Sequence, residues 1–179
     1  NYYIMVTANI IASICKNGGI ANNLYIPWNF SNSYMTSFNN LTRGDGNNAV
    51  LMGKNTYNDI LIYNHKPLSD RKNIILSKNI SDNEILYTNV EQYNSIDEVI
   101  NSCNKNNYDE LWIIGGERVF KDSINNLKIK NIYLNHIDKE YNCNKYFPIN
   151  INKNEMKIIN KVKHDDIEET FTYISQTNQ

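Results

Sequence analysis

Leu111-Trp112-Ile113-Ile114-Gly115-Gly116-Glu117 is the most instructive run in the chain: four apolar residues of strand length stop at a glycine pair, and a short helix over 117–123 follows at once. A buried strand feeding directly into a helix is half of a parallel crossover unit. The same rhythm extends outward from it. Residues 49–52 read as a short buried strand before a helix over 55–61, and 73–76 and 84–87 read as strands before a helix over 95–103 with an Ile96, Val99, Ile100 stripe. Nearer the start, 6–13 is an apolar strand entering the turn-rich segment 16–23, and Ser31 or Asn32 caps a helix to about Thr42 that carries Tyr34, Met35, Phe38 and Leu41 on one side. Beyond 123 the pattern changes, because 131–137, 156–162 and 170–174 read as strands without helices between them. The expectation is an α/β fold: one domain over 1–179, a mostly parallel central sheet with an antiparallel C-terminal edge, and helices on both faces.

Composition narrows the function classes. At 179 residues the chain can bury a core without staples, and a formal net charge of -1 with mixed signs offers neither a nucleic-acid stripe nor a polybasic anchor. No apolar run approaches the roughly 20 residues that span a bilayer, so neither membrane nor nucleic acid is an expected partner. Cys15, Cys103 and Cys143 form no CxxC pair, and an odd count fits no complete disulfide framework; the expected setting is a reducing one, such as the cytoplasm. The start at Asn1 rather than Met suggests a trimmed chain or a piece of a longer polypeptide, and membership of a larger assembly is a further expectation. His65, His136 and His164 are too scattered to propose a metal site. Asn is about one residue in five, a bias read as compositional and given no functional weight. The acidic group Asp165, Asp166, Glu168 and Glu169 is read as protection for an edge strand.

Three strand ends carry residues suited to phosphate. Gly115-Gly116 opens a helix whose N-terminal amides favour an anion, although a glycine pair alone is more often only a turn. Gly53-Lys54-Asn55-Thr56 repeats the strand-to-helix passage with a cation and a hydroxyl, and Ser77-Lys78 follows the next strand. Open α/β sheets bind ligands at the carboxyl ends of their strands, so three such ends reinforce one another.

Taken in order, Gly19-Ile20-Ala21-Asn22-Asn23-Leu24-Tyr25-Ile26-Pro27-Trp28, residues 38–42, Val50-Leu51-Met52-Gly53-Lys54-Asn55-Thr56, Pro67-Leu68 with Arg71-Lys72-Asn73, Ile74-Ile75-Leu76-Ser77, Ile113-Ile114-Gly115-Gly116 and Ile132-Tyr133-Leu134-Asn135-His136-Ile137 resemble dihydrofolate reductase over nearly the whole length. The resemblance implies NADPH as cofactor, with Gly53, Lys54, Thr56, Ser77, Lys78, Gly115 and Gly116 at its phosphates, Lys78 facing the 2′-phosphate, and Ser13 and Ile20 at the nicotinamide. It implies a folate substrate met by Ile11, Phe38, Ile60, Leu68 and Ile114, with Arg71 on the glutamate carboxylate, a task suited to a planar bidentate donor. Alone, Phe38, Ile60 and Leu68 would read as core in any fold, and Trp28 as a core plug.

Catalytic positions depart from the pattern. The family's Asp or Glu lies on the helix after Pro-Trp, and the spacing from Trp28 to Phe38 and Thr42 puts Tyr34 there; residues 1–44 hold no carboxylate at all. Asn135 stands where the family has a Thr, and Phe120 where it has a Tyr. With Trp28, these make up the catalytic positions the resemblance assigns. Three readings follow: a dihydrofolate reductase with a neutral proton site, a non-catalytic member that binds nucleotide or folate or serves as a structural subunit, and a reductase of another heterocycle such as a pyrimidine, the last disfavoured by Pro27-Trp28 and Arg71.

Overall fold

Strand β1, Thr7–Cys15, is buried along almost its whole length because it has a neighbour on each edge and helices over each face. The computed structural model describes residues 6–78, 87–148, 156–164 and 168–175. In chain order β1 is followed by β2 (Gly19–Ala21), α1 (Asn32–Arg43), β3 (Ala49–Gly53), α2 (Lys54–Asn64), β4 (Lys72–Leu76), β5 (Val90–Tyr93) and α3 (Ile96–Lys105). Then come β6 (Glu110–Gly115), α4 (Glu117–Asn126), β7 (Ile129–Ile137), β8 (Lys145–Tyr146), β9 (Met156–His164) and β10 (Glu168–Ser175).

Eight strands form one sheet in the order β5-β4-β3-β6-β1-β7-β10-β9. The first six pair in parallel, with Ile10 opposite Ile113 and Ile11 opposite Tyr133, whereas β10 runs antiparallel to both β7 and β9. The strand period of two divides the core between the faces. Ile10, Leu51, Ile74, Leu111 and Ile113 point to the face covered by α3 and α4 through Val99, Cys103, Val119 and Phe120. Ile11, Val50, Met52, Ile75 and Trp112 point to the other face, under Phe38 and Leu41 of α1 and Tyr57 and Ile60 of α2. A smaller cluster of Cys15, Trp28, Ile137 and Cys143 sits at the carboxyl ends of β1 and β7, with the two sulfurs 3.9 Å apart.

Helix ends follow their residues. Ser31 caps α1 by accepting from the Tyr34 amide at 3.1 Å, and Ser95 caps α3 through the Glu98 amide. Helix α2 extends beyond its expected 55–61 span and stops at His65, whose backbone turns left-handed at φ 58°. A cis peptide bond joins Gly115 and Gly116.

The parallel sheet and the two helical layers match the sequence expectation, with three differences. Strand β5 stands at 90–93, while residues 84–86 of the expected strand lie outside the described residues. As an edge strand with one neighbour, β5 buries only Val90, so it lacks the apolar run of the central strands. The pair β2 and β8 escaped notice because three and two residues are too short to show a period. Finally, β10 is not an edge: it inserts between β7 and β9, so Glu168 and Glu169 lie on an interior strand, and 165–167 are outside the described residues.

Glu91 ties the β5 edge to its surroundings. Its carboxylate accepts from Ser102 Oγ at 2.9 Å and Tyr93 Oη at 3.0 Å and lies 3.2 Å from Lys72 Nζ. Burial alone would raise its proton affinity, but these donors outweigh burial and hold the carboxyl below its usual value. A carboxyl depressed in the folded state stabilises the fold above its unfolded pKa, and that contribution disappears as pH falls through the folded value. Glu91→Gln is therefore expected to cost about 1 kcal/mol near neutral pH. Urea unfolding at pH 7 and pH 3 should show the two proteins converging at the lower pH.

Candidate functional site

Because β4, β3, β6 and β1 run the same way, their carboxyl ends share one margin of the sheet, and there a cleft of about 1110 Å3 opens. Four strand ends contribute to its walls: Ile11 and Ser13 from β1, Gly53 from β3, Ser77 and Lys78 after β4, and Ile114, Gly115 and Gly116 at the end of β6. Helix α2 adds Lys54, Thr56 and Ile60, α1 adds Tyr34 and Phe38, and Ile20, Trp28, Leu68 and Phe120 complete the set that the sequence singled out. Leu68 is held there by the fully buried Asn73, whose side chain accepts from the Leu68 amide at 3.1 Å and donates to its carbonyl at 2.8 Å.

The strand-end side is suited to an anion. Helices α1 and α3 have serine caps, but α2 and α4 begin at Gly53 and Gly116 with no side-chain cap bond. First-turn amides of both helices therefore remain available at the cleft, beside Lys54, Ser77 and Lys78. Thr56 binds the two helix starts into one surface: a Cβ built on Gly115 or Gly116 would lie 3.6 and 3.7 Å from its Oγ1.

The α1 side is aromatic. Tyr34 is 5 % exposed, stacked on Phe30 at 5.1 Å between centroids and tilted against Phe38 at 6.5 Å. Trp28 is buried and leans on Tyr141, and its buried Nε1 has no hydrogen-bond partner among the described residues. Phe120 is buried against Phe147 and brings no hydroxyl.

Two candidates do not line the cleft. Asn135 is fully buried on β7 and meets the site through Ser13, donating to its Oγ at 2.6 Å. Arg71 is 7 % exposed at a separate, shallower depression, where Nη1 donates to Thr42 Oγ1, Nη2 to Asn39 at 3.3 Å and Nε to the Ser69 carbonyl at 2.8 Å. Burial, and secondarily Arg43, lowers its pKa to about 10, which leaves it charged at neutral pH.

Several cleft residues were not anticipated. Leu24, Tyr25 and Ile26 are exposed hydrophobics on the loop after β2, and an apolar triplet inside a polar turn was the available signal. That loop is fastened by asparagines: Asn22 donates to the Asn142 carbonyl, and Asn23 and Asn144 exchange two bonds of 2.7 Å. Asp59 of α2 also lines the cleft, and its helical position relative to Thr56 was the missed clue. Among the described residues no group of His, Cys, Asp and Glu could hold a metal ion, and no helix is long and apolar enough to cross a membrane.

A mostly parallel sheet flanked by two helical layers, with a cleft at the strands' carboxyl margin, defines an α/β domain of the class whose ligands bind at strand ends. Residues 7–178 match the family described as dihydrofolate reductase. The chain is 32% identical over 170 residues to dihydrofolate reductase from Schistosoma mansoni, covering 92% of this chain and 88% of that one. It is 30% identical over 161 residues to the Heliothis virescens dihydrofolate reductase, covering 87% and 86% respectively. A bifunctional dihydrofolate reductase-thymidylate synthase from Paramecium tetraurelia is 30% identical over 146 residues, which are 81% of this chain but 29% of that protein. The chain belongs to the dihydrofolate reductase family, a family of oxidoreductases.

Gly115 has φ 134°, a conformation that L side chains rarely adopt, so its constraint is the backbone rather than space. Gly115→Ala is expected to lower stability by about 1–3 kcal/mol. Thermal or urea unfolding measures the loss, and Gly53→Ala, where a Cβ would meet Val119 at an ordinary 3.4 Å, should cost less.

Proposed function

We propose that this protein reduces 7,8-dihydrofolate to tetrahydrofolate with NADPH. The observation that carries this reading is a cleft in which the anion-suited strand ends meet the aromatic wall of α1 and the apolar side of α2. NADPH supplies a hydride when bound. The chain's own groups divide the remaining work. Lys54, Thr56, Ser77 and Lys78, with the open first turns of α2 and α4, hold the phosphates, and Ser13 and Ile20 border the nicotinamide. Ile11, Phe38, Ile60, Leu68 and Ile114 form the apolar slot for the folate rings. Arg71, the resemblance's partner for the folate carboxylate, lies outside the cleft and is bonded to Thr42, Asn39 and Ser69, so in this reading it must exchange a protein partner to reach the tail.

Tyr34 stands on α1 where the resemblance expects an acid, and a phenol is intrinsically a far weaker acid than a carboxylic acid, so it is a poor proton donor to a pteridine nitrogen. Turnover in this reading is slow, because one lost charge-assisted contact of about 1.5–3 kcal/mol already removes a factor of ten or more. The aromatic stack Phe30, Tyr34 and Phe38 favours a second reading, a member that binds folate or nucleotide without turning it over, alone or within a larger polypeptide.

NADPH oxidation with dihydrofolate, followed by absorbance, separates the two readings: measurable turnover supports the first, and binding of both ligands without turnover supports the second. Tyr34→Asp should raise kcat/KM about tenfold or more, and an unchanged value would remove Tyr34 from the account. Lys54→Ala and Lys78→Ala should each weaken NADPH binding about tenfold by calorimetry, the equivalent of about 1.4 kcal/mol.

A further inference from the structure

Four carboxylates border the cleft: Asp59, Asp97, Glu117 and Asp122. The last three belong to α3 and α4. Glu117 is engaged by Lys145 at 3.8 Å and by the Tyr146 amide at 2.9 Å, Asp122 lies 3.5 Å from Arg118, and Asp97 stands in the first turn of α3. Asp59 differs in place and in company. It lies on α2, which covers the same sheet face as α1 with its Tyr34 and Phe38, and among the described residues no donor or cation engages it. It follows Thr56 by three residues and precedes Tyr63 by four, so the three line one face of the helix with Cβ atoms about 5–6 Å apart. Thr56 in turn abuts Gly115-Gly116, and Ile60, the next residue, belongs to the apolar slot. The carboxyl therefore stands where the strand-end side of the cleft passes into the heterocycle side.

We propose that Asp59 supplies the bound heterocycle with the acidic group that α1 lacks. The inference rests on the reading above that a protonatable pterin enters this cleft. Protonated Asp59 gives its proton, directly or through one water, to a ring nitrogen. The carboxylate left behind faces the cationic ring and regains a proton from solvent. Burial raises the Asp59 proton affinity above the usual carboxylate value, the direction an acid working toward neutral pH requires. The ionisable neighbours on its side of the cleft are Lys54 and Tyr63 from its own helix, Tyr34 from α1 and Tyr25 from the loop after β2, and burial alone accounts for the shift.

The test compares the parent with Asp59→Asn and Asp59→Glu. In NADPH oxidation with dihydrofolate, Asp59→Asn should lower kcat/KM at least tenfold and erase the limb of the pH profile assigned to the acid, while Asp59→Glu retains the limb. NADPH affinity, measured by calorimetry, should stay within about twofold in both variants. A second arm reads binding alone: the affinity of 2,4-diaminopyrimidine, followed by quenching of tryptophan fluorescence, should fall at least tenfold on Asp59→Asn at a pH where the probe is protonated. If the parent turns over and Asp59→Asn keeps its rate and profile, the assignment is overturned while the reductase reading stands. An inert parent defeats the reductase reading, and the probe then decides on Asp59 by itself: loss of affinity supports the assignment and unchanged affinity overturns it. An equal loss of NADPH affinity would make the residue merely structural and would also overturn it.

Discussion

Parallel pairing of β1 with β6 on one edge and β7 on the other is the constraint on which the rest depends. Once β3 and β4 join in the same direction, four carboxyl ends share a margin, and the returning helices α2 and α4 must begin there. The cleft is thus a product of chain direction before it is a product of any side chain. The pleat then separates two chemistries. Helices α3 and α4 lie over the residues of one parity, α1 and α2 over those of the other, so the aromatic wall and the apolar slot come from a single layer.

Within that layer the wall contributed by α1 is built of rings. A buried carboxylate is costly to desolvate and requires donors, whereas a phenol stacked on Phe30 is comfortable in the same space. Nearby, Phe120 packs on Phe147 and Asn135 donates to Ser13 Oγ. The strand-end side of the cleft keeps its lysines, hydroxyls and open helix starts.

Most of this was legible in the residues. Apolar runs bounded by glycine or polar turns marked β1, β3, β4 and β6, and the period of α3 was visible in Ile96, Val99 and Ile100. Seventeen of the nineteen singled-out site residues border one cleft, because strand-to-helix junctions in a parallel sheet converge wherever they fall in the chain. What stayed hidden was what local patterns do not encode. The short β2 and β8 exist only as a pair, and β5 is half polar because it lies at an edge. The side-chain bonds of Asn73, Asn144 and Arg71 depend on partners that only the fold identifies. Nothing local in the sequence distinguishes Asp59 from other acids; only the placement of its helix against the cleft does.

The placement of β10 bears on how the polypeptide reaches this state. A strand that seats between β7 and β9 leaves the outer flank of β7 open until the chain beyond His164 has emerged from the ribosome. During synthesis that flank offers unsatisfied amides and carbonyls along the seven residues 131–137 that β10 later pairs, a template for mispairing with another nascent copy. Closing the sheet is accordingly a late event that joins distant parts of the chain, and its speed governs how long the growing protein is at risk of aggregation.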